Sequence, residues 1–117
     1  MIQTLAFTAY AVKDVAVSRR FYEHLLGLKL TLSPNNDWFE YDLGDTTFVI
    51  TSADADHPVP VRGALVAFEV DDLDREVERL RKNGVTIKGE IGESPVCRYA
   101  TILDPDGTEL LIHKRKS

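Results

Sequence analysis

The sequence predicts an α+β fold made from one supersecondary unit used twice, and three observations carry that prediction. The first is a near repeat. Ala9-Tyr10-Ala11-Val12-Lys13-Asp14-Val15 at the head of one half returns as Ala67-Phe68-Glu69-Val70-Asp71-Asp72-Leu73 at the head of the other. The second is a shared order of elements: each copy runs strand, aspartate, amphipathic helix, glycine and further strands. The third is length, because 117 residues suit one compact domain with a real core and are too few for two independent ones. Two short copies that each expose an apolar sheet face bury it together and leave a cleft, the natural place for a ligand. The expected organisation is a single domain over 1–117, with repeats at about 1–52 and 63–117 joined by a linker over 53–62.

In the first copy, residues 5–12 form the opening strand, and Asp14 caps a helix running to Leu26. Val17, Phe21 and Leu25 make its apolar side, with Tyr22 and Leu26 flanking, while Ser18, Arg19 and Glu23 face away. Gly27 ends it in the left-handed position. Residues 28–32 are a second short strand and 33–37 a loop of turn-formers. Residues 38–43 and 46–52 then form a hairpin around Gly44 and Asp45. Alternation sends Phe39 and Tyr41 to one face and Trp38 to the other, which leaves open which face is inward.

The linker is polar and proline-broken, and Asp54, Asp56 and His57 within it are expected to be solvated. In the second copy, residues 64–70 are a strand and Asp72 caps a helix to Asn83. Leu73, Val77 and Leu80 are its buried stripe, Glu78 and Lys82 an exposed ion pair, and Gly84 its stop. Residues 85–88 are a strand and 90–95 a loop. The closing hairpin pairs 96–103 with 108–114 around Asp104-Pro105-Asp106-Gly107, where proline sets the bend and glycine takes the positive dihedral.

Composition narrows the function classes. A net charge of −5 argues against nucleic acid or an anionic membrane as partner, since both need a positive footprint. The Lys114-Arg115-Lys116 run is a solvated tail. No apolar run approaches the roughly 20 residues of a membrane span, and residues 1–4 carry no secretion signal, so the cytoplasm is the expected compartment. Cys97 is the sole cysteine, which excludes an intrachain disulfide and is expected to be an inert strand residue.

The order Val12-x-Asp14, Ser18, Phe21-Tyr22 and Leu26-Gly27, followed late by the Asp104–Gly107 turn, resembles the vicinal oxygen chelate superfamily. That superfamily includes glyoxalase I, bleomycin-resistance proteins, fosfomycin-resistance enzymes and extradiol dioxygenases. The resemblance spans about residues 5–114. It implies paired βαβββ modules whose mixed sheets curl around a cleft, with helices on the outer face. It also implies a homodimer, which fits the need of short modules to protect their sheet edges.

The resemblance further implies a divalent metal held by His or Glu from four strands, and here the chain departs from the pattern. The first ligand position is Phe7, seven residues before Asp14; its counterpart, seven before Asp72, is Leu65. The third lies on the strand 46–52, which holds neither histidine nor carboxylate, and the fourth, four residues after the turn glycine, is Leu111. Phenylalanine and leucine offer no donor atom to Mg²⁺, Zn²⁺, Ni²⁺ or Fe²⁺. No metal and no other cofactor is therefore expected.

Strand parity places Glu69, Glu109 and His113 on the same face as Leu65 and Leu111, so a relocated metal or a metal-free acid/base pair stays open as an alternative. Pairing around the turn is expected to set Arg98 opposite His113, Ala100 opposite Leu111 and Ile102 opposite Glu109. The expected ligand site thus has a floor of Phe7, Leu65, Ala100 and Leu111 under a rim of Arg98, His113, Glu69 and Glu109. Two functions follow: a metal-independent binder of a small cationic or amphipathic molecule, or a glyoxalase- or dioxygenase-like enzyme. A purely structural or regulatory module is a third.

Overall fold

Each half of the chain can bury only one face of its sheet with its own helix, and the structure shows that division. It is a computed structural model and describes residues 1, 3, 5–55, 57–60 and 65–116. Asp56, the linker end at Arg62 and the expected strand start at Ala64 lie outside the described residues, as do Ile2 and Thr4. The chain divides into two compact units, Met1–Pro60 and Val61–Ser117. Each contains a four-stranded mixed sheet, so the α+β class and the two modules hold.

In the first unit the strands are β1 (Thr8–Val12), β2 (Leu32–Asn35), β3 (Trp38–Asp42) and β4 (Thr47–Ser52), ordered β1-β4-β3-β2 with β1 parallel to β4. Helix α1 (Val15–Arg19) begins where the Asp14 carboxylate accepts from the Val17 N–H at 3.2 Å. It widens over Arg20–Leu25 into a π-helical turn closed by Leu26 N donating to Phe21 O. Gly27 follows at φ +80°. Phe39 and Tyr41 face this helix and are buried, which settles the orientation of β3. Phe48 gathers Tyr10, Tyr22 and Tyr41 around it at ring separations of 5.5, 5.1 and 6.4 Å.

The buried side of α1 differs from the expected one. Ser18 is buried and Val17 is 49% exposed, while Leu25 is only half-buried. The cause is Tyr22, fully buried against Phe48: with that ring at the centre of the contact, the position one turn earlier is Ser18, where a small side chain fits. A second correction concerns β2, which covers 32–35 and not 28–32. Pro34 is tolerated because β2 is the sheet edge, and Asn36 and Asp37 alone make the turn into β3, where Asn35 pairs with Trp38.

The second unit contains β5 (Val66–Glu69), α2 (Leu73–Lys82), β6 (Ile87–Glu93), β7 (Cys97–Leu103) and β8 (Glu109–Arg115), ordered β5-β8-β7-β6 with β5 parallel to β8. Asp72 caps α2 by accepting from Arg75 N at 3.1 Å. Leu73, Val77 and Leu80 are buried, and the helix packs on β7 and β8 over Ala100, Ile102, Leu110 and Ile112. The exposed pair of Glu78 is Arg81 at 3.1 Å, where Lys82 was expected. Strand β6 runs on to Glu93 through the expected loop, because Gly89 at φ +73° lets the chain shift register between Lys88 and Gly92 and resume pairing with β7.

The register of the closing hairpin is displaced by one residue from the expected one. Arg98 pairs with Lys114, Ala100 with Ile112, Ile102 with Leu110 and Leu103 with Glu109. Asp104 is responsible. Its backbone N–H donates to Thr108 O at 3.0 Å, and its carboxylate accepts from Asp106 N and Thr108 N, both at 2.9 Å. Asp104 therefore stands opposite Thr108, and only 105–107 form the loop, with Gly107 at φ +82°.

Candidate binding faces and their geometry

A one-residue slip in register exchanges the faces of a strand, and here it splits the expected site. Arg98 and Ala100 lie on the side of the sheet that carries α2. Ala100 is fully buried there, and Arg98 makes a two-pronged contact with Asp74 of α2 at 3.0 and 3.1 Å. That bond, and the attraction behind it, holds the Asp74 carboxyl below its ordinary range and raises Arg98. Neither residue shares a face with Leu111.

Leu111, His113, Glu109 and Glu69 do share a face, the one opposite α2. Two rows cross the whole sheet on it. Glu69, His113, Tyr99 and Gly92 are neighbours on β5, β8, β7 and β6, and Ala67, Leu111, Thr101 and Lys88 form the row beside them. Glu69 Oε1 lies 2.6 Å from His113 Nδ1, and Glu69 Oε2 accepts from Arg115 N at 2.8 Å. The Arg115 bond, then the His113 bond, holds the Glu69 carboxyl below its ordinary range. Glu109 is engaged elsewhere, by Lys88 Nζ at 2.8 Å. Leu65, just before β5, is 57% exposed, and Leu111 is half-buried.

The face of the first sheet turned away from α1 has a related character. Phe7 is 47% exposed and meets Trp38 edge-on, with ring centroids 5.3 Å apart. Trp38 pairs with Thr51, which pairs with Ala11, and the Trp38 Nε1–H donates to Glu40 Oε2 at 2.7 Å. Trp38, Glu40, Tyr99 and Gly92 were not among the expected site residues. Trp38 was separable from Phe39 and Tyr41 by alternation, but Tyr99 joins His113 only in the true register.

The expected metal positions remain without donors in three dimensions. Phe7, Leu65 and Leu111 carry hydrocarbon only, and Thr47–Ser52 contributes no imidazole or carboxylate. These side chains do not fit a divalent ion. Among the described residues no group of three or more His, Cys, Asp and Glu side chains is placed to hold one, which includes Glu69, Glu109 and His113. Cys97 is half-buried, with its Sγ 3.2 Å from Ser94 Oγ. Among the described residues no helix is long and apolar enough to cross a membrane.

Comparison with known proteins agrees with the fold. The model of the Glyoxalase/Bleomycin resistance protein/Dioxygenase superfamily matches residues 4–112. The crystal structure of TnmS3, an antibiotic binding protein from Streptomyces sp. CB03234, superposes with a TM-score of 0.81 at 26% identity, covering 98% of each chain. A glyoxalase/bleomycin resistance protein from the same organism gives 0.75 at 26% identity, over 95% of this chain and 98% of that one. Lactoylglutathione lyase from Agrobacterium tumefaciens gives 0.74 at 20% identity, over 97% and 95%, a likeness of fold. No curated protein matches the chain.

Proposed function

The chain belongs to the Glyoxalase/Bleomycin resistance protein/Dioxygenase superfamily, and we propose that it is a metal-independent binder of a small molecule, held in a cleft formed by paired modules. The observation that carries the proposal is chemical: hydrocarbon side chains, Phe7, Leu65 and Leu111, stand where the superfamily's metal ligands are expected, and Phe7 and Leu65 are exposed. Exposed apolar side chains on a face beside fixed polar groups suit recognition of an amphipathic molecule. The likeness to TnmS3, an antibiotic binding protein, supports the same reading.

In this proposal the two repeats act as one domain, and a homodimer in the cytoplasm is the working form. Phe7, Leu65 and Leu111 supply apolar contact, and Glu69, Glu109 and His113 supply polar contact. Arg98 and Ala100, on the α2 side of the second sheet, have no part in this reading. The net charge of −5 favours a ligand without negative charge. Titration of the protein with a panel of amphipathic aromatic antibiotics, with and without a chelator, tests this. Saturable binding indifferent to the chelator is expected. Binding or turnover that appears only on adding a divalent metal would support the enzyme reading instead.

A further inference from the structure

We propose that His113 is a fixed hydrogen-bond acceptor that selects ligands carrying a hydroxyl donor, such as a phenol or an enol, over their ethers. The inference rests on the binding function proposed above and names the ligand chemistry of that site. Glu69 is acceptor-only when ionised, so the proton on the 2.6 Å contact belongs to His113 Nδ1. In the neutral ring Nε2 then carries a lone pair. Among the described residues no hydrogen bond is made to Nε2, and the His113 side chain is 24% exposed.

The surroundings keep that nitrogen accessible. Tyr99, the cross-strand neighbour of His113, is drawn to the other side, onto Gly92 of β6. A Cβ at Gly92 would stand 2.7 Å from Tyr99 Cε2 and Oη, so only glycine lets the ring rest there. Leu111 and Ala67, in the adjoining row, supply an apolar surface on which the body of an aromatic ligand lies. Glu69 is itself held by Arg115 N, so the imidazole is oriented before a ligand arrives.

A matched pair of probes tests the proposal on the full chain: 2-naphthol, which has an O–H, and 2-methoxynaphthalene, which lacks it. Binding is followed through amide shifts in nuclear magnetic resonance at about pH 8. The naphthol is expected to bind about tenfold more tightly. Glu69→Gln distinguishes a tautomer effect from simple packing. The Arg115 N–H requires the amide oxygen of the new side chain, which leaves its NH₂ to donate to His113 Nδ1 and moves the imidazole proton to Nε2. The preference for naphthol is expected to vanish in this variant, and the imidazole nitrogen spectrum is expected to show the exchanged tautomer. Equal affinities for the two probes in the parent protein, or a proton already on Nε2, would overturn the inference and leave metal-free binding standing. Failure of both probes to bind would count against both.

Discussion

Tyr99 packs against the backbone of Gly92 so closely that a β-carbon at position 92 cannot coexist with the ring. Gly92→Ala is therefore expected to displace Tyr99 toward His113, and because the outer end of a half-buried side chain is what gives way, the second unit is expected to lose less than about 1 kcal/mol. Thermal melting reads the stability, and contacts between the Tyr99 and His113 rings read the displacement. An unchanged melting temperature with Tyr99 in place would contradict the packing.

Asp104 sets the register of β7 against β8, because its buried carboxylate accepts from two turn N–H groups. Asp104→Ala leaves those donors without their acceptor and is expected to cost about 1–3 kcal/mol. Asp104→Asn keeps one acceptor oxygen and should recover most of the loss. Denaturant unfolding of both variants makes the comparison.

Glu23 links α1 to β3 by accepting from Arg19 Nε at 2.7 Å and Tyr41 Oη at 2.9 Å. Burial by itself raises the Glu23 carboxyl, but the Arg19 and Tyr41 bonds outweigh it and hold the group below its ordinary range. Burial, then the Glu23 bond, pushes the Tyr41 phenol above its own. A carboxyl depressed on folding contributes stability that is present above its unfolded pKa of about 4.3 and lost as pH falls through the folded value. Acid titration of stability should thus be steeper in the parent than in Glu23→Gln. A Glu23→Gln, Tyr41→Phe double-mutant cycle should give a coupling of about 0.5–1.5 kcal/mol.

Arg98 and Leu111 separate the two faces of the second sheet. Arg98→Ala breaks an exposed ion pair with Asp74 on the helix side, so ligand affinity and melting temperature should barely change. Leu111→Glu places a carboxylate on the half-buried opposite face, in the row beside Glu69, and is expected to cost about 1–3 kcal/mol and to weaken ligand binding. Loss of binding in Arg98→Ala with none in Leu111→Glu would reverse the assignment of the faces.

Patterns local to one element were legible in the sequence. The aspartate caps at Asp14 and Asp72, the α2 stripe of Leu73, Val77 and Leu80, and the opposition of Trp38 to Phe39 and Tyr41 each follow from spacing within a few residues. What escaped depends on contacts between elements. Ser18 is buried because Tyr22 docks on Phe48, and β6 continues because Gly89 absorbs a shift against β7. The candidate site suffered most, since parity along β8 placed Leu111, His113 and Glu109 together while one side chain, Asp104, displaced β7 and carried Arg98 and Ala100 to the other face.

In the proposed function Phe7, Leu65 and Leu111 form an apolar surface where the superfamily holds its metal. Elemental analysis of protein purified without chelator, and after incubation with Ni²⁺, Zn²⁺, Mn²⁺ or Fe²⁺, tests it most directly. Far less than stoichiometric metal and a melting temperature indifferent to chelator are expected. About one tightly held ion per chain would contradict the proposal, because a structural or catalytic site takes up its ion stoichiometrically.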